Sequence, residues 1–427
     1  MNILVVGGGG REHALVWKLK QSPLCHSIAC APGNAGIGRL AELVPIRAEA
    51  VEEQVQFAAE KRFDLVVIGP EAPLAAGLAD ALRAKGIRVF GPSQKAARIE
   101  SSKIFARRLM EKYGIPSPAY QAFENPEAAK SFVRELAFQG KHCVVKADGL
   151  AAGKGAIVTS STEEADAAIE QCLIRQAFGE AGRRIVVEER LTGPEVSILA
   201  ITDGRRLVIL PPAQDHKPIG EGDTGPNTGG MGAYSPVPLV TEDLLETIRR
   251  TVLEPAVRGM EAEGAPYTGV LYAGLMICGG RPYVIEFNCR FGDPETQAVL
   301  PALDEDLLPY LVNAAEGTLH QDQILDPRQS SVCVIMASGG YPGAYEKGKV
   351  ISGLEAAEAE TEGVLVFHSG TQWKDGRLLT AGGRVLGITG QGRDFQQACQ
   401  RAYAAVEKIH FEKAYYRRDI GFRVCKR

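Results

Sequence analysis

The sequence predicts a mixed α/β and α+β protein whose N-terminal part forms a parallel, doubly wound sheet. One observation is that strand-like and helix-like runs alternate over the first hundred residues, which is typical of parallel sheets. Another is that short strands separated by glycine turns follow from about Ser101, which indicates antiparallel pairs. The chain of 427 residues is also long enough for about three domains of roughly 150 residues each.

The N-terminal elements are identified from short apolar runs that end in glycine. Such runs predict strands at 2–7, 64–70 and 87–92. A helix is predicted at 11–22, where apolar side chains recur with helical spacing, and another at 74–86, which ends at a glycine. The alternation of these elements predicts the doubly wound sheet.

The rest of the chain combines two predicted helices with many short strands. A capped helix is predicted at 101–114, and the turn of a hairpin at 203–206. The segment 214–238 is polar and rich in glycine and proline, and loops of that length inside compact domains are usually functional or disordered. A third block begins near Pro327 and ends in a helix predicted at 395–409.

Composition and charge exclude several classes of protein. The apolar fraction of 45% and the charged fraction of 23% are those of an ordinary globular protein. A net charge of -4 gives no reason to expect nucleic acid or an acidic membrane as a partner. No secretory signal and no apolar run of about 18 residues is present, so we expect a cytoplasmic location. The nine scattered cysteines form no C-x-x-C pair and are interpreted as reduced thiols.

Four glycines at 7–10 follow the first predicted strand. Bare glycine backbone allows N–H groups and a helix N-terminus to approach an anion. The run is not a dinucleotide-binding fingerprint, because His13 takes the place of its last glycine. A tight turn without a ligand is the alternative, but a plain turn does not need four glycines, so we favour anion binding.

Two lysines bracket a glycine-rich loop at 148–155, which lies between two predicted strands. Lys146 precedes the loop, Lys154 lies within it, and Lys103 begins an earlier helix. Such a loop can fold over a nucleotide while lysines contact its phosphates. It is not a P-loop, because Lys154 stands where that pattern requires glycine. On these residues alone, a hairpin with surface lysines is an equally good interpretation.

The segment 283–297 carries a candidate metal site. In an extended strand Glu286, Asn288 and Arg290 point to one face, because side chains repeat every two residues. Two oxygen ligands together with phosphates and water suit Mg²⁺, and an arginine can stabilise a transferred phosphoryl group. The alternative is a half-buried edge strand with solvated polar residues. Glu188 and Glu195 form a similar pair, for which the local sequence favours a solvated face.

Taken in order, these motifs resemble the ATP-grasp superfamily, in which a glycine loop between two antiparallel strands closes over ATP. Within it, the chain is similar to the phosphoribosylamine–glycine ligase family, also called glycinamide ribonucleotide synthetases. The resemblance spans residues 7 to 424, and the segments 214–238 and 286–297 are its most specific parts. The stretches that carry it are GGGGREHAL, PGNAGI, GPEAPLAAGLAD, VVKADGLAAGKG, DHKPIGEGDTGPNTGGMGAYSP, IEFNCRFGDPETQ, ASGGYPG, TAGGRVL and RRDIGFRV.

The resemblance implies an activity and a domain organisation. ATP, glycine and 5-phospho-β-D-ribosylamine would give N1-(5-phospho-β-D-ribosyl)glycinamide, ADP and phosphate through glycyl phosphate, the second step of de novo purine biosynthesis. We expect ATP with Mg²⁺ or Mn²⁺, the two small-molecule substrates, no nucleic-acid or membrane partner, and a monomer without fused activities. The expected domains are a Rossmann-like N-terminal domain (1–102), an ATP-grasp domain (103–326, with a flap subdomain at about 120–190) and a C-terminal domain (327–427).

The resemblance also implies roles for individual residues. Arg290 and Lys146 are expected to act in catalysis, and Glu286 and Asn288 to bind the metal. The residues expected to contact ATP are Lys103, Lys146, Gly149, Gly153, Lys154, Gly155, Glu188, Leu191 and Glu195. The residues expected to contact the sugar phosphate or glycine are Gly8, Gly9, Gly10, Arg11, Asp215, Gly229, Gly230, Arg290 and Asp293.

Two departures and three alternatives accompany this interpretation. Many members of the family carry lysine where this chain has Arg107, and the strand predicted at 268–277 lacks the additional metal-binding acid of many ATP-grasp enzymes. One alternative is an ATP-grasp carboxylase that joins bicarbonate to an aminoimidazole ribotide, against which the segment 214–238 argues. A non-catalytic nucleotide-binding regulator is disfavoured because Glu286 and Arg290 are intact. A Rossmann dehydrogenase is disfavoured by the broken glycine fingerprint.

Overall fold

The N-terminal region of the computed structural model, which describes residues 1–151 and 155–425, is a parallel sheet flanked by helices. The sheet order is β3-β2-β1-β4-β5, with every pair parallel, as predicted. Its elements are β1 (Asn2–Gly7), α1 (Gly10–Lys20), β2 (Ser27–Pro32), β3 (Glu42–Leu43), α2 (Val51–Lys61), β4 (Leu65–Ile68), α3 (Glu71–Ala75), α4 (Leu78–Ala84), β5 (Val89–Phe90) and α5 (Gln94–Ser101).

One N-terminal helix differs from its prediction. The single helix expected at 74–86 is interrupted between α3 and α4 by Gly77, whose φ of 88° lies in the left-handed region. Glycine reaches this region without steric cost, so it can turn the chain where another residue would continue the helix. The run of alanine and leucine concealed this break.

The next region contains a small antiparallel sheet, ordered β6-β9-β7-β8. Its core, formed by residues such as Phe123, Val145 and Ile169, is separate from the larger cores of the molecule. The elements are α6 (Lys103–Lys112), β6 (Tyr120–Phe123), α7 (Pro126–Phe138), β7 (Cys143–Ala147), β8 (Ala156–Val158), α8 (Thr162–Ile169) and β9 (Ile185–Glu189). We call residues 120–189 the flap subdomain.

The central region is built on a second sheet, ordered β17-β16-β10-β11-β18. The hairpin predicted at 203–206 joins β10 to β11, where Thr202 pairs with Leu207. The elements are β10 (Glu195–Thr202), β11 (Leu207–Ile209), β12 (Gln214–Asp215), β13 (Pro218–Gly220), β14 (Thr224–Asn227), β15 (Gly232–Ser235), α9 (Glu242–Ile248), α10 (Glu254–Ala262), β16 (Gly269–Cys278), β17 (Arg281–Asn288), α11 (Thr296–Ala302), α12 (Leu307–Glu316) and β18 (Gln323–Ile324).

The C-terminal region completes a third sheet that it shares with the segment 214–238. The order is β12-β15-β19-β23-β20, with β24 paired to β19. The expected long loop therefore contains four short strands, two of which join this sheet. The remaining elements are β19 (Ser330–Ser338), α13 (Leu354–Glu360), β20 (Val364–His368), β21 (Thr371–Lys374), β22 (Arg377–Thr380), β23 (Arg384–Gly392), α14 (Phe395–Val406) and β24 (Ala414–Tyr415).

The last described residues fold back onto α14, the helix predicted at 395–409. Cys425 forms a disulfide with Cys399, with the two Cα atoms 6.8 Å apart. The interpretation of all cysteines as reduced thiols is therefore wrong for this pair, because tertiary folding brings together residues 26 positions apart. No helix within residues 1–151 and 155–425 is long and apolar enough to cross a bilayer.

Candidate active site

A cleft of about 1080 Å³ lies between the flap subdomain and the rest of the molecule. Its lining includes residues from β7, β9, β17 and the segment 214–238. The sequence-predicted residues that line it are Lys103, Lys146, Gly149, Gly155, Glu188, Leu191, Glu195, Asp215, Gly229, Glu286, Asn288, Arg290 and Asp293. Gly8, Gly9, Gly10, Arg11 and Gly230 do not line it. The predicted Gly153 and Lys154 lie outside the described residues.

Two lysines place positive charge in the cleft from different elements. Lys103 is the first residue of α6, whose N-terminus is capped by the Ser102 side chain, and its Nζ lies 3.4 Å from Glu286 Oε2. Lys146 lies on β7, and its Nζ is 2.8 Å from Glu188 Oε2. Burial lowers the pKa of Lys146 to about 8, although Glu188 opposes the shift. Both lysines are placed to contact an anionic ligand.

The predicted metal pair lies on β17, as the strand pattern required. Glu286 and Asn288 both line the cleft. Burial raises the pKa of Glu286, but Lys103 and further cations outweigh it and hold the pKa well below its usual value, so the carboxylate is ionised. In the described part of the chain, no three His, Cys, Asp or Glu side chains converge to form a metal site by themselves. One carboxylate and one amide fit a Mg²⁺ ion that takes its other ligands from phosphates and water.

Arg290 is held between two glutamates that the sequence did not indicate. Its Nε lies 3.3 Å from Glu71 Oε2, and its Nη2 lies 3.2 Å from Glu100 Oε1. Burial alone would lower the pKa of Arg290, but the two carboxylates raise it, so the guanidinium remains charged. Glu71 begins α3 and Glu100 lies near the end of α5, so the N-terminal region positions a side chain of the central region.

Glu188 on β9 and Glu195 at the start of β10 have different environments. Glu188 is buried, with only 2% of its surface exposed, and pairs with Arg107 and Lys146. The solvated face that the local sequence favoured is therefore wrong for Glu188. Glu195 is more open and lies 2.7 Å from Lys217 Nζ. Leu191, between the two glutamates, also lines the cleft.

A buried polar cluster closes the other end of the cleft. The Tyr272 hydroxyl donates to Glu295 Oε1 over 2.8 Å, and Ser197 Oγ lies 2.8 Å from the same hydroxyl. Burial raises the pKa of nearby Asp215 to about 7, with Glu295 acting in the same direction and Lys217 opposing it. Sequence reasoning found Asp215 but missed Tyr272 and Glu295, although Glu295 lies within the recognised segment 286–297. This cluster offers acceptors to a cationic or hydrogen-bond-donating substrate.

The glycine loop before α1 lies beside the cleft. The N–H of Gly9 donates to Glu12 Oε2 over 2.6 Å, so the helix caps part of its own N-terminus. Gly10 is required by close packing, because a Cβ there would lie 2.5 Å from Gln297 Nε2. Arg11 Nη1 lies 3.9 Å from Glu71 Oε2, which lines the cleft. In this structure Arg11 therefore connects to the cleft through Glu71.

Arginine side chains of the C-terminal region hold the segment 214–238 in place. Arg384 Nη1 donates to the carbonyl oxygens of Gly229 and of Asp293, over 2.5 and 2.8 Å. Arg417, whose side chain is fully buried, pairs with Asp223 at 2.9 Å and with Asp419 at 2.7 Å. The predicted Gly230 packs on Pro294, where an added Cβ would lie 2.4 Å from Cδ, so it serves packing in this structure.

The base of the glycine loop at 148–155 is anchored to α6. Asp148 Oδ1 accepts hydrogen bonds from Ser102 Oγ (2.9 Å) and from the N–H of Ile104 (3.1 Å). Gly149 has no space for a side chain, since a Cβ there would lie 2.5 Å from Ala181 Cβ. The base of the loop is thus tied to the helix that carries Lys103.

Three family models match consecutive parts of the chain. The Phosphoribosylglycinamide synthetase N domain matches residues 1–100, its ATP-grasp (A) domain residues 101–296, and its C domain residues 331–423. The chain is also 49% identical over 427 residues to a phosphoribosylamine–glycine ligase of Rhizobium meliloti (strain 1021), covering 100% of this chain and 99% of the relative.

Solved structures agree with these matches. The chain resembles the crystal structure of phosphoribosylamine–glycine ligase from Thermotoga maritima with a TM-score of 0.87, 35% identity, and coverage of 98% of this chain and 100% of that one. The biotin carboxylase domain of Hydrogenobacter thermophilus 2-oxoglutarate carboxylase, in complex with MgADP and bicarbonate, has a TM-score of 0.72 at 16% identity, over 97% and 91% of the two chains. The second likeness shows the fold alone.

Proposed function

The chain belongs to the phosphoribosylglycinamide synthetase family, and we propose that its cleft performs the glycine ligation step of purine biosynthesis by way of glycyl phosphate. The protein is an ATP-dependent ligase, since relatives of that activity match its full length. The reaction joins glycine to 5-phospho-β-D-ribosylamine and converts ATP to ADP and phosphate.

The first step transfers the γ-phosphoryl group. A carboxylate oxygen of glycine attacks the γ-phosphorus, and the bond to the β–γ bridging oxygen breaks to release ADP. Lys103 and Lys146 contact the phosphates, and Arg290 neutralises charge on the transferred group. Phosphoryl transfer depends mainly on positioning and charge neutralisation, so no nucleophilic side chain is needed. The clamp of Arg290 between Glu71 and Glu100 supplies that positioning.

The second step forms the amide. The amine of the ribosylamine attacks the carbonyl carbon of glycyl phosphate, a C–N bond forms, the C–O bond to phosphate breaks, and the nitrogen loses a proton. Asp215 and Asp293 line the cleft, and we assign them to the amino groups of the substrates. Gly149 and Gly155 line the cleft at the base of the loop that covers ATP and protects the acyl phosphate from hydrolysis.

A divalent cation completes the site. Glu286 and Asn288 are the residues that would hold it, and Mg²⁺ or Mn²⁺ both suit oxygen ligands. Bound there, the ion neutralises charge on the nucleotide phosphates.

The remaining substrate contacts are assigned by position. Glu195 is placed for the ribose of ATP, and Leu191 for the adenine. Gly8, Gly9, Gly10 and Arg11 lie next to the cleft and are proposed for the sugar phosphate, which requires an approach from the side of Glu71. We further propose a cytoplasmic monomer with domains at 1–102, 103–326 and 327–427, and sedimentation of the purified protein tests the monomer.

One observation carries the proposal. Five side chains of the predicted chemistry, from three separate segments, line a single cleft: Lys103, Lys146, Glu286, Asn288 and Arg290. A carboxylase for an aminoimidazole ribotide is disfavoured because all three family models are those of the glycine ligase. A regulator would have no need of an arginine such as Arg290 held beside the two predicted metal ligands, Glu286 and Asn288.

The decisive experiment measures ADP release with ATP and Mg²⁺. Glycine and freshly prepared phosphoribosylamine are supplied separately and together. We expect ADP only when both are present. ADP formation with a different acid and amine would overturn the substrate assignment, and tight ATP binding without turnover on any pair would favour the regulator.

A further inference from the structure

A buried group of three charges lies at the wall of the cleft, which Lys146 and Glu188 line and Arg107 does not. Arg107 on α6 makes a two-point contact with Glu188 on β9, Nε to Oε1 at 2.6 Å and Nη2 to Oε2 at 2.7 Å. Lys146 on β7 contacts the same carboxylate at 2.8 Å. The exposed fractions of Arg107, Glu188 and Lys146 are only 2%, 2% and 3%. Together they form what we call the charge triad.

The triad also contacts β17, the strand that carries the predicted metal ligands Glu286 and Asn288. Arg107 donates to the carbonyl oxygens of Val284 (2.9 Å) and Ile285 (2.7 Å), which directly precede Glu286. Lys146 donates to the same Ile285 oxygen over 2.8 Å. Arg107 therefore bridges β9 and β17 with four bonds, a number that the planar fork of arginine allows and the single ammonium of lysine does not.

The charges of the triad do not cancel. Two cations share one carboxylate, so the group keeps one net positive charge in a dry environment where charges interact strongly. Glu188 has both oxygens occupied by Arg107, and its second oxygen is shared with Lys146. Without Arg107, Glu188 and Lys146 would form a neutral pair. Lys146 would then offer little net charge to a phosphate.

We propose that Arg107 is a positioning residue for ATP: it neutralises Glu188, so that the positive charge of Lys146 is available to the phosphates, and it fixes Lys146 against the strand that bears Glu286. The proposal rests on the assignment of Lys146 to the ATP phosphates in the proposed function. It also replaces the expected contact of Glu188 with ATP. In this proposal Glu188 instead pairs with Arg107 and Lys146 within the protein.

The test compares variants that change charge and geometry separately. Arg107→Met removes the charge and all four bonds. Arg107→Lys keeps the charge but loses the two-point contact. The double variant Arg107→Met/Glu188→Gln removes the carboxylate as well, which restores one net positive charge on Lys146. Arg108→Met is the matched control, because Arg108 is the next residue of α6 and is exposed.

The measurements are KM for ATP at saturating glycine and phosphoribosylamine, KM for glycine, and the melting temperature. We expect Arg107→Met to raise KM for ATP by about tenfold, the equivalent of a lost interaction of about 1.4 kcal/mol, with KM for glycine unchanged. Arg107→Lys should have a smaller effect. The double variant should recover most of the lost affinity for ATP, with a melting temperature no higher than that of Arg107→Met. Arg108→Met should match the wild type.

Two results would overturn the proposal. One is an unchanged KM for ATP in both Arg107→Met and Arg107→Lys. The other is a double variant that binds ATP as weakly as Arg107→Met or more weakly, since removing the Glu188 carboxylate should return the net positive charge to Lys146. If Arg107→Met does not fold, Arg107→Lys and the double variant carry the test. Lys146→Met separates a failure of this proposal from a failure of the proposed function. If this variant leaves KM for ATP unchanged, the assignment of Lys146 to the ATP phosphates is wrong.

Discussion

The two walls of the cleft are built differently. On one side, the flap subdomain packs around its own small core, separate from the cores of the rest of the molecule. On the other side, the segment 214–238 contributes β12 and β15 to a sheet completed by the C-terminal region. One wall is a unit that packs independently, while the other is held by two regions of the chain.

This difference matches the demands of the two kinds of substrate. In the proposed function the flap subdomain covers ATP, and a separate core would let it open and close without disturbing other packing. The wall proposed to hold the small substrates must instead keep its shape, so that reacting groups meet at the right distance. Two arginines provide this rigidity: the partly buried Arg384 and the fully buried Arg417 bond a backbone carbonyl and a carboxylate over long sequence separations.

The largest expected effect concerns Arg290, which lines the cleft but belongs to neither wall. Arg290→Ala should lower kcat by about 10³-fold or more while leaving ATP binding largely intact, because the arginine acts on charge that develops during transfer. Steady-state kinetics and ADP binding by calorimetry check this. Arg290→Ala also removes a cation that Glu71 and Glu100 contact, so Arg290→Lys, which keeps a positive charge at this position, is the control. Weakened nucleotide binding with an unchanged kcat would contradict the assigned role.

The second largest effect is expected when Arg417, which holds the segment 214–238, is replaced. Arg417→Met breaks the ion pairs with Asp223, which keeps its pair with Arg423, and with Asp419, and breaking a buried pair costs about 3–5 kcal/mol. We expect a lower melting temperature and a raised KM for glycine or phosphoribosylamine, with KM for ATP nearly unchanged. Arg377→Met serves as the control, because Arg377 is an exposed arginine of the same C-terminal region. A selective rise in KM for ATP would contradict the division between the walls.

A smaller effect is expected at the base of the glycine loop. In Gly149→Ala the new methyl group would meet Ala181 Cβ at 2.5 Å, and overpacking of this kind typically costs about 1–3 kcal/mol. KM for ATP should rise several-fold, with KM for glycine unchanged. The double variant Gly149→Ala/Ala181→Gly removes the closest contact and leaves one of 2.9 Å to the Cα atom of residue 181, so it should restore part of the ATP binding. Its failure to do so would mean that Gly149 serves something other than this close approach.

The smallest effect is a pH dependence set by Lys146. Only the protonated amine attracts phosphate, and burial lowers the pKa of Lys146 to about 8. The groups that face it are Glu188 from β9, Arg107 from α6 and Glu286 from β17. We therefore expect kcat/KM for ATP to fall as the pH rises above about 8. Lys146→Arg keeps its charge and should abolish this decline, and an identical profile in that variant would assign the decline to another group.

Most of the residues predicted from short stretches of sequence for the site do line the cleft. Glu286 and Asn288 share a face because a strand alternates, and this held in β17. The parallel N-terminal sheet followed from alternating strands and helices. Where local signals were weak, the predictions were wrong: the break at Gly77 was hidden in an alanine-rich run, and the segment 214–238 was expected to be a loop.

The sequence by itself determined the elements and the reactive residue types, because both depend on periodicity and on neighbours along the chain. Tertiary structure decided which charges meet. Glu71 and Glu100 hold Arg290 across 219 and 190 positions, and Arg107 meets Glu188 across 81. No periodic pattern connects such residues, because their partnership exists only once separate elements pack and exclude the water that would otherwise screen them.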